Sequence, residues 1–315
     1  MKLASLYFDG ADRIGVLKND NEIALIDDVG EMTDLIRLGS DAKKHISHAL
    51  SDGIAIACNG IKWYPPVRRP GKICGIAMNN SASNARKISA PDHPAFFLKP
   101  STCLVGHGEP VRVRRYYGSV HPEPELAVIL GTTVRDVDAA DAMDCVFGYS
   151  IFNDITGNGM RADDLFHYWA LYPDEQNPDE LVRREQHLSY AARYKGTDTF
   201  GSMGPFITTA EDISDPDQLD VSCRVGGEVI AEDSTRYYNY KVAELISYIS
   251  QFLTLEPGDI ISCGTAFKPS PGRKSIHHAN FQRVAGPVEI TISGLGTLSN
   301  PVEIEDKVIG QWRLR

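Results

Sequence analysis

The sequence predicts an α+β fold that is mostly β, with a small N-terminal unit ahead of a larger β-rich one. Two observations carry this. From residue 66 onward, apolar runs of strand length greatly outnumber helical patterns and do not alternate with helices as βαβ units would, which points to mixed, largely antiparallel sheets. Pro65-Pro66 and Pro70-Gly71 punctuate the chain and set a boundary near residue 66, dividing it into 1–65 and 66–315. A chain of 315 residues, 42% of them hydrophobic, accommodates one large domain or two unequal ones with a sizeable core.

Within the first unit, Leu3 to Phe8, Arg13 to Lys18 and Glu22 to Ile26 read as strands, with turns at Asp9-Gly10 and Asn19-Asp20. Met32 to Leu38 and Asp41 to Leu50 read as helices. Lys72 to Ala77 is a buried strand that runs into the polar stretch Met78 to Lys87. That stretch is rich in the Asn and Ser that cap helices, and reads either as a loop-helix over a cleft or as a surface loop. Phe96 to Thr102 is a strand and turn. Asp138 to Met143 reads as a short helix and Val146 to Phe152 as an apolar strand. Asp163 to Leu171 and Glu180 to Tyr194 read as helices in a charged segment. Leu219 to Val225 and Glu228 to Ala231 form a hairpin across Gly226-Gly227. Val242 to Leu253 is an amphipathic helix, and Ile260 to Cys263 and Val288 to Ser293 are strands.

Composition narrows the function. A net charge of -10 and a pI near 5.4 exclude nucleic acid and anionic membrane surfaces as partners, because both need a basic footprint. The cysteines at 58, 74, 103, 145, 223 and 263 show no C-x-x-C pattern, so they are expected to be reduced thiols of a cytoplasmic protein. Neither an export signal nor a membrane-spanning run of about 18 apolar residues is expected.

The chemistry centres on His121-Pro122-Glu123-Pro124-Glu125, which leads into the apolar run Leu126 to Leu130. On extended backbone, Glu123 and Glu125 project to one face. Two adjacent carboxylates at a buried strand repel each other unless a cation sits between them. The alternative is a polar strand edge with both in water. Asp154, where the strand Val146 to Phe152 emerges, supplies a third carboxylate or a simple turn cap. Three oxygen ligands without a Cys or His cluster suit Mg²⁺, Mn²⁺ or Ca²⁺ rather than zinc. The Gly-rich loop Lys195 to Pro205 permits close approach to a ligand. Lys195 could neutralise a substrate carboxylate or be an ordinary surface lysine, and Gly264-Thr265 can present a hydroxyl and amides to a cleft.

Taken together, Phe97-Leu98-Lys99-Pro100-Ser101, Glu123-x-Glu125-Leu126, Phe152-Asn153-Asp154, Lys195 with Asp198-Thr199-Phe200 and Gly204-Pro205, Thr254 to Asp259, Gly264-Thr265, and Gly294-x-Gly296-Thr297-Leu298-x-Asn300-Pro301 resemble the fumarylacetoacetate hydrolase family over roughly residues 66–305. The resemblance implies a catalytic fold of rolled mixed β-sheets, a homodimer, and Mg²⁺ or a similar ion on Glu123, Glu125 and Asp154. It also implies a small oxo-acid substrate touched by Lys195 and Thr265. The activities it implies are cleavage of a C–C bond in a 2-oxo or 1,3-diketo acid through a metal-stabilised enolate, or decarboxylation or tautomerisation of a 2-oxo acid. A catalytically idle oxo-acid binding protein is a third alternative. Two departures matter. Ser83 and Arg86 stand where hydrolytic members often carry a His-x-x-Glu pair that activates water. The family's Arg shortly after the metal Asp is also absent, and the segment from Asp154 to Lys195, longer than in the family, brings Arg161, His167 and His187, candidates to replace the missing groups.

Overall fold

A computed structural model describes residues 1–267 and 276–307. The chain opens with strands β1 (Lys2–Phe8), β2 (Ala11–Asn19) and β3 (Glu22–Ile26), then helices α1 (Met32–Arg37) and α2 (Ala42–Asp52), then short strands β4 (Ala55–Ala57) and β5 (Lys62–Trp63). Helix α2 buries Ala42, Ile46 and Ala49, the i, i+4, i+7 stripe of an amphipathic helix. The chain continues through β6 (Ile73–Ala77), β7 (Ala95–Lys99), β8 (Leu104–Val105), β9 (Val111–Arg114), β10 (Pro124–Leu130) and β11 (Val146–Asp154). Helix α3 (Asn158–Asp163), strands β12 (Phe166–Pro173) and β13 (Leu181–Leu188), and helix α4 (Ala192–Gly196) follow. The last part comprises β14 (Gly201–Thr209), β15 (Asp220–Val225), β16 (Glu228–Ser234), α5 (Val242–Ser250), β17 (Ile260–Thr265), β18 (Val288–Ile292), β19 (Gly296–Asn300) and β20 (Val302–Glu305).

Among the described residues, the largest sheet has twelve strands, ten of them in the order β4-β3-β2-β1-β14-β11-β10-β17-β6-β7. Most neighbours are antiparallel, while β17 with β6 and β14 with β8 are parallel, so the sheet is mixed as expected. Strand β1 pairs with β14, which hydrogen-bonds the N-terminal strands into the same sheet as the later ones. A second sheet runs β16-β15-β18-β19, and β12-β13 stands apart as a two-stranded hairpin.

Strand β10 is buried along its whole length. Leu126, Val128 and Leu130 share a core with Val242, Leu245 and Ile249 of α5 and with Val221 and Ile290 of the second sheet. Ala127 and Ile129, on the other face, join Leu35, Ile36 and Ile46 of α1 and α2 and Phe152 and Met203 of the neighbouring strands. A strand covered on both faces reads as a continuous apolar run, which is why Leu126 to Leu130 shows no alternation.

The charged segment departs from expectation. The helices expected over Asp163 to Leu171 and Glu180 to Tyr194 are instead the paired strands β12 and β13, in unbroken register from Phe166↔Leu188 to Pro173↔Leu181. Helical structure is confined to α3 before them and α4 after them. Glu, Arg, Gln and Leu favour helix intrinsically, but cross-strand pairing of the aromatic run Phe166 to Tyr172 overrides that preference. The helix expected at Asp138 to Met143 is a single 3₁₀ turn, Ala142–Cys145. Among the described residues, no helix is long and apolar enough to cross a membrane.

The shared core has a measurable consequence. Ile129→Ala, on the face of β10 toward α1 and α2, is expected to lower the unfolding free energy by about 3 kcal/mol, within the range for large-to-small core changes. Urea unfolding followed by circular dichroism checks this. An unmoved midpoint would mean that β10 and the N-terminal helices do not stabilise each other.

Candidate metal centre

Four strand ends meet where the site forms. The chain entering β10 is extended from His121, which bridges to Thr156 through two main-chain hydrogen bonds of 3.0 and 3.1 Å. His121, Glu123 and Glu125 therefore fall on one side at i, i+2 and i+4. Asp154, the last residue of β11, donates its amide to the Glu123 carbonyl at 2.9 Å, and Asn153 Oδ1 accepts the Glu123 amide at 3.0 Å. These bonds fix Asp154 beside Glu123. Oxygens of Glu123, Glu125 and Asp154 all lie within 4.8 Å of one another.

Strand β17 supplies the next layer. Its pairing with β10 is irregular, because Glu125 faces Thr265 while Ala127 faces Ser262. Such a bulge re-aims side chains. Here it brings the Ser262 hydroxyl (2.5 Å) and the Gly264 amide (3.0 Å) to the same Glu125 oxygen, Oε2. Gly264 sits at φ +100°, and a Cβ there would stand 2.7 Å from Asn79 Cβ, so the bulge needs glycine. Thr265 Oγ1 lies 3.1 Å from Glu123 Oε2 and 3.3 Å from Glu125 Oε1.

Two lysines enter the cluster. Lys195, on α4, donates to Glu123 Oε2 at 2.7 Å and pairs closely with Asp154 Oδ2. Lys99, fully buried at the end of β7, donates to Asp154 Oδ1 at 2.6 Å, to the Phe200 carbonyl at 3.1 Å and to the Lys195 carbonyl. His121, buried, places Nε2 3.2 Å from Glu123 Oε1.

Electrostatics separates the two glutamates. Burial alone would push the Glu123 carboxyl up, but the Lys195 ammonium and the His121 hydrogen bond outweigh it and hold Glu123 well below the usual range. Glu125 is pushed up to about 8, by burial first and then by the charge of Asp154. Lys195 would be lowered by burial, yet Asp154, Glu123 and Glu125 raise it well above its usual value, so it stays an ammonium. The raised Glu125 reflects burial first and the neighbouring charge of Asp154 second, a cost that a bound cation would relieve. Three converging carboxylates with charge to spare fit a hard divalent cation.

Of the residues singled out from sequence, Glu123, Glu125, Asp154, Lys195 and Thr265 come together here. Ser83 does not join them: it is buried in the 3₁₀ segment Ser81–Arg86, and its hydroxyl donates to the Asn80 carbonyl at 2.6 Å. The side chain of Arg86 lies outside the described residues. Arg161 is exposed on α3, its guanidinium 5.9 Å from the Tyr194 ring centre. His167 is exposed on β12 and pairs with Glu185, because its segment is a surface hairpin rather than a helix covering the cleft. Lys99, His121 and Ser262 were not singled out as site residues. His121 carried a legible signal, standing two residues before Glu123 on the same extended face. Lys99 carried another, a lysine closing an apolar strand.

The family model for the C-terminal region of fumarylacetoacetate (FAA) hydrolase matches residues 72–303. The chain belongs to the fumarylacetoacetate hydrolase family. Within that family it is 31% identical over 247 residues to an oxaloacetate tautomerase of Bacillus subtilis, covering 77% of this chain and 73% of that protein. It is 29% identical over 273 residues to a mitochondrial oxaloacetate tautomerase of Xenopus laevis, covering 86% and 78%. Its fold matches the crystal structure of a maleylpyruvate hydrolase from a Sphingobium species in complex with manganese(II) and pyruvate. That match has a TM-score of 0.72 and 28% identity, over 96% of this chain and 99% of that one. The family thus includes both hydrolases and tautomerases.

The Glu125 shift sets a pH dependence for metal affinity. Below about pH 8 the carboxyl of the metal-free protein holds a proton that an ion must displace. Mn²⁺ affinity, measured calorimetrically, is expected to fall about tenfold per pH unit as pH drops below that value and to level off above it, one proton being exchanged per ion. A flat profile between pH 6 and 8 would show that Glu125 is already ionised or does not bind the ion.

Proposed function

We propose that this chain is a divalent-metal-dependent enzyme acting on a small 2-oxo acid through its enolate, and that it interconverts keto and enol forms without an attacking water. The observation that carries this is the state of Ser83. Where hydrolytic relatives are expected to hold a water-activating pair, this chain has a hydroxyl committed to its own turn.

Glu123, Glu125 and Asp154 would hold Mg²⁺, Mn²⁺ or Ca²⁺. When bound, such an ion polarises the 2-oxo carbonyl and favours the enolate. Lys195 remains cationic beside these carboxylates, so it is suited to pair with substrate carboxylate or enolate oxygen, not to remove a proton. Lys99 fixes one oxygen of Asp154, and His121 fixes one oxygen of Glu123. Thr265 offers a hydroxyl on the same side as Lys195, both reaching Glu123 Oε2. Keto–enol interconversion breaks a C3–H bond and forms the enol O–H bond; these groups would stabilise the charge and position the acid, while solvent water accepts the C3 proton and returns one to oxygen. The identities to oxaloacetate tautomerases support this reading.

A second reading, C–C hydrolysis of a 1,3-diketo acid, is favoured by the likeness to the maleylpyruvate hydrolase. It requires a proton acceptor for water that Ser83 does not supply. Two assays with added Mg²⁺ or Mn²⁺ separate the readings: decay of enol-oxaloacetate absorbance, and product analysis with acylpyruvates. Faster enol decay without fragments is expected, with Lys195→Met slowing it by about 100-fold, the scale found for loss of one preorganised charge-stabilising group. Two carbon fragments would establish hydrolysis, released CO₂ decarboxylation, and binding without turnover an oxo-acid binding protein. Normal kinetics in Lys195→Met would remove that residue from the site.

A further inference from the structure

The hairpin β12–β13 carries a second cluster of metal-ligating side chains, unlike the first in chemistry. Pairing places His167 directly opposite His187 and Trp169 opposite Glu185. Side chains two apart on a strand share a face, so His167, His187 and Glu185 stand on the same side of the hairpin. The two imidazoles stack with centres 4.2 Å apart and planes 14° from parallel. His167 Nε2 meets Glu185 Oε1 in a close hydrogen bond. One ligand atom from each of the three residues lies within 4.8 Å of the others, and all three residues are exposed.

We propose that His167, His187 and Glu185 form a surface site for a borderline transition-metal ion of the Zn²⁺ or Ni²⁺ class. Two imidazole nitrogens and one carboxylate oxygen are the donor set of such ions, whereas Mg²⁺ and Ca²⁺ take oxygen ligands and belong at the carboxylate cluster. The ladder of eight residue pairs from Phe166↔Leu188 to Pro173↔Leu181 holds the strands in register and presents the ligands together. Three protein ligands leave a coordination position open to water. A two-stranded sheet standing alone is marginally stable, and a bound ion would cross-link its strands. His167 thereby acquires a role that needs no contact with the carboxylate cluster, and the site is independent of the enolate chemistry proposed above.

The test is calorimetric titration of the full chain with Zn²⁺, after removal of bound metal and in excess Mg²⁺ to saturate the carboxylate cluster. One Zn²⁺ per chain is expected under these conditions. His187→Ala and His167→Ala are each expected to weaken it by about 10–100-fold or more, the range seen even for groups that merely support a ligand. Glu185→Gln, close in shape and on an exposed strand, should weaken it without altering the circular dichroism spectrum. In thermal melts, Zn²⁺ should raise the melting temperature of wild type more than that of His187→Ala. Absence of Zn²⁺ binding in wild type, or wild-type affinity in all three variants, would overturn the proposal.

Discussion

A lysine ammonium held among three crowded carboxylates is the interaction on which the rest of the structure depends. Glu123, Glu125 and Asp154 bring their oxygens within 4.8 Å of one another in a largely water-excluded place. At such separations each like-charge pair costs on the order of 4 kcal/mol for an effective dielectric of roughly 20. Lys195 and Lys99 offset much of this, since both touch Asp154 and one also touches Glu123. The balance is uneven. Glu123 lies next to Lys195 and stays ionised, while Glu125, raised by burial and by the charge of Asp154, rises to about 8. That asymmetry leaves the site short of positive charge and makes it receptive to a cation.

The fold exists to hold this cluster still. Three of the carboxylate and hydroxyl groups sit at ends of adjacent strands in one sheet, β11, β10 and β17, so their spacing is set by the sheet ladder rather than by loops. Strand β10 is buried on both faces, clamped between the α5 side and the α1–α2 side. Residue Lys99 ends β7 at the far edge of the same sheet and ties the carbonyls of Lys195 and Phe200, fixing the segment that carries the second cation. Helices and N-terminal strands thus serve the site indirectly, by fixing the register of the strands that end there.

Much of this was legible in the residues. The Glu-x-Glu spacing at a buried strand, an Asp at a second strand end, and the mixed β architecture each follow from periodicity and the cost of buried charge. Lys99 and His121 follow from the same logic but are harder to see, because a lysine beside proline and a histidine between valine and proline look ordinary when read singly. Ser262 was hidden for another reason: its role arises from a bulge in β17, which local propensity does not encode. The hairpin at 166–188 is not legible because both its faces are exposed, so the strands show no alternation of apolar and polar residues, and helix-favouring Glu, Arg and Leu dominate the pattern.

Membership of the fumarylacetoacetate hydrolase family and the geometry of the carboxylates converge on a hard cation as the centre of the chemistry. Electron paramagnetic resonance of free Mn²⁺ during titration tests that claim most directly, since Mn²⁺ prefers oxygen donors and is itself the reporter. One tightly held Mn²⁺ per chain is expected for the wild type, and none for Glu125→Gln combined with Asp154→Asn, two changes that keep shape and remove charge. Equal Mn²⁺ binding in both proteins would contradict the assignment of Glu123, Glu125 and Asp154 as the metal centre.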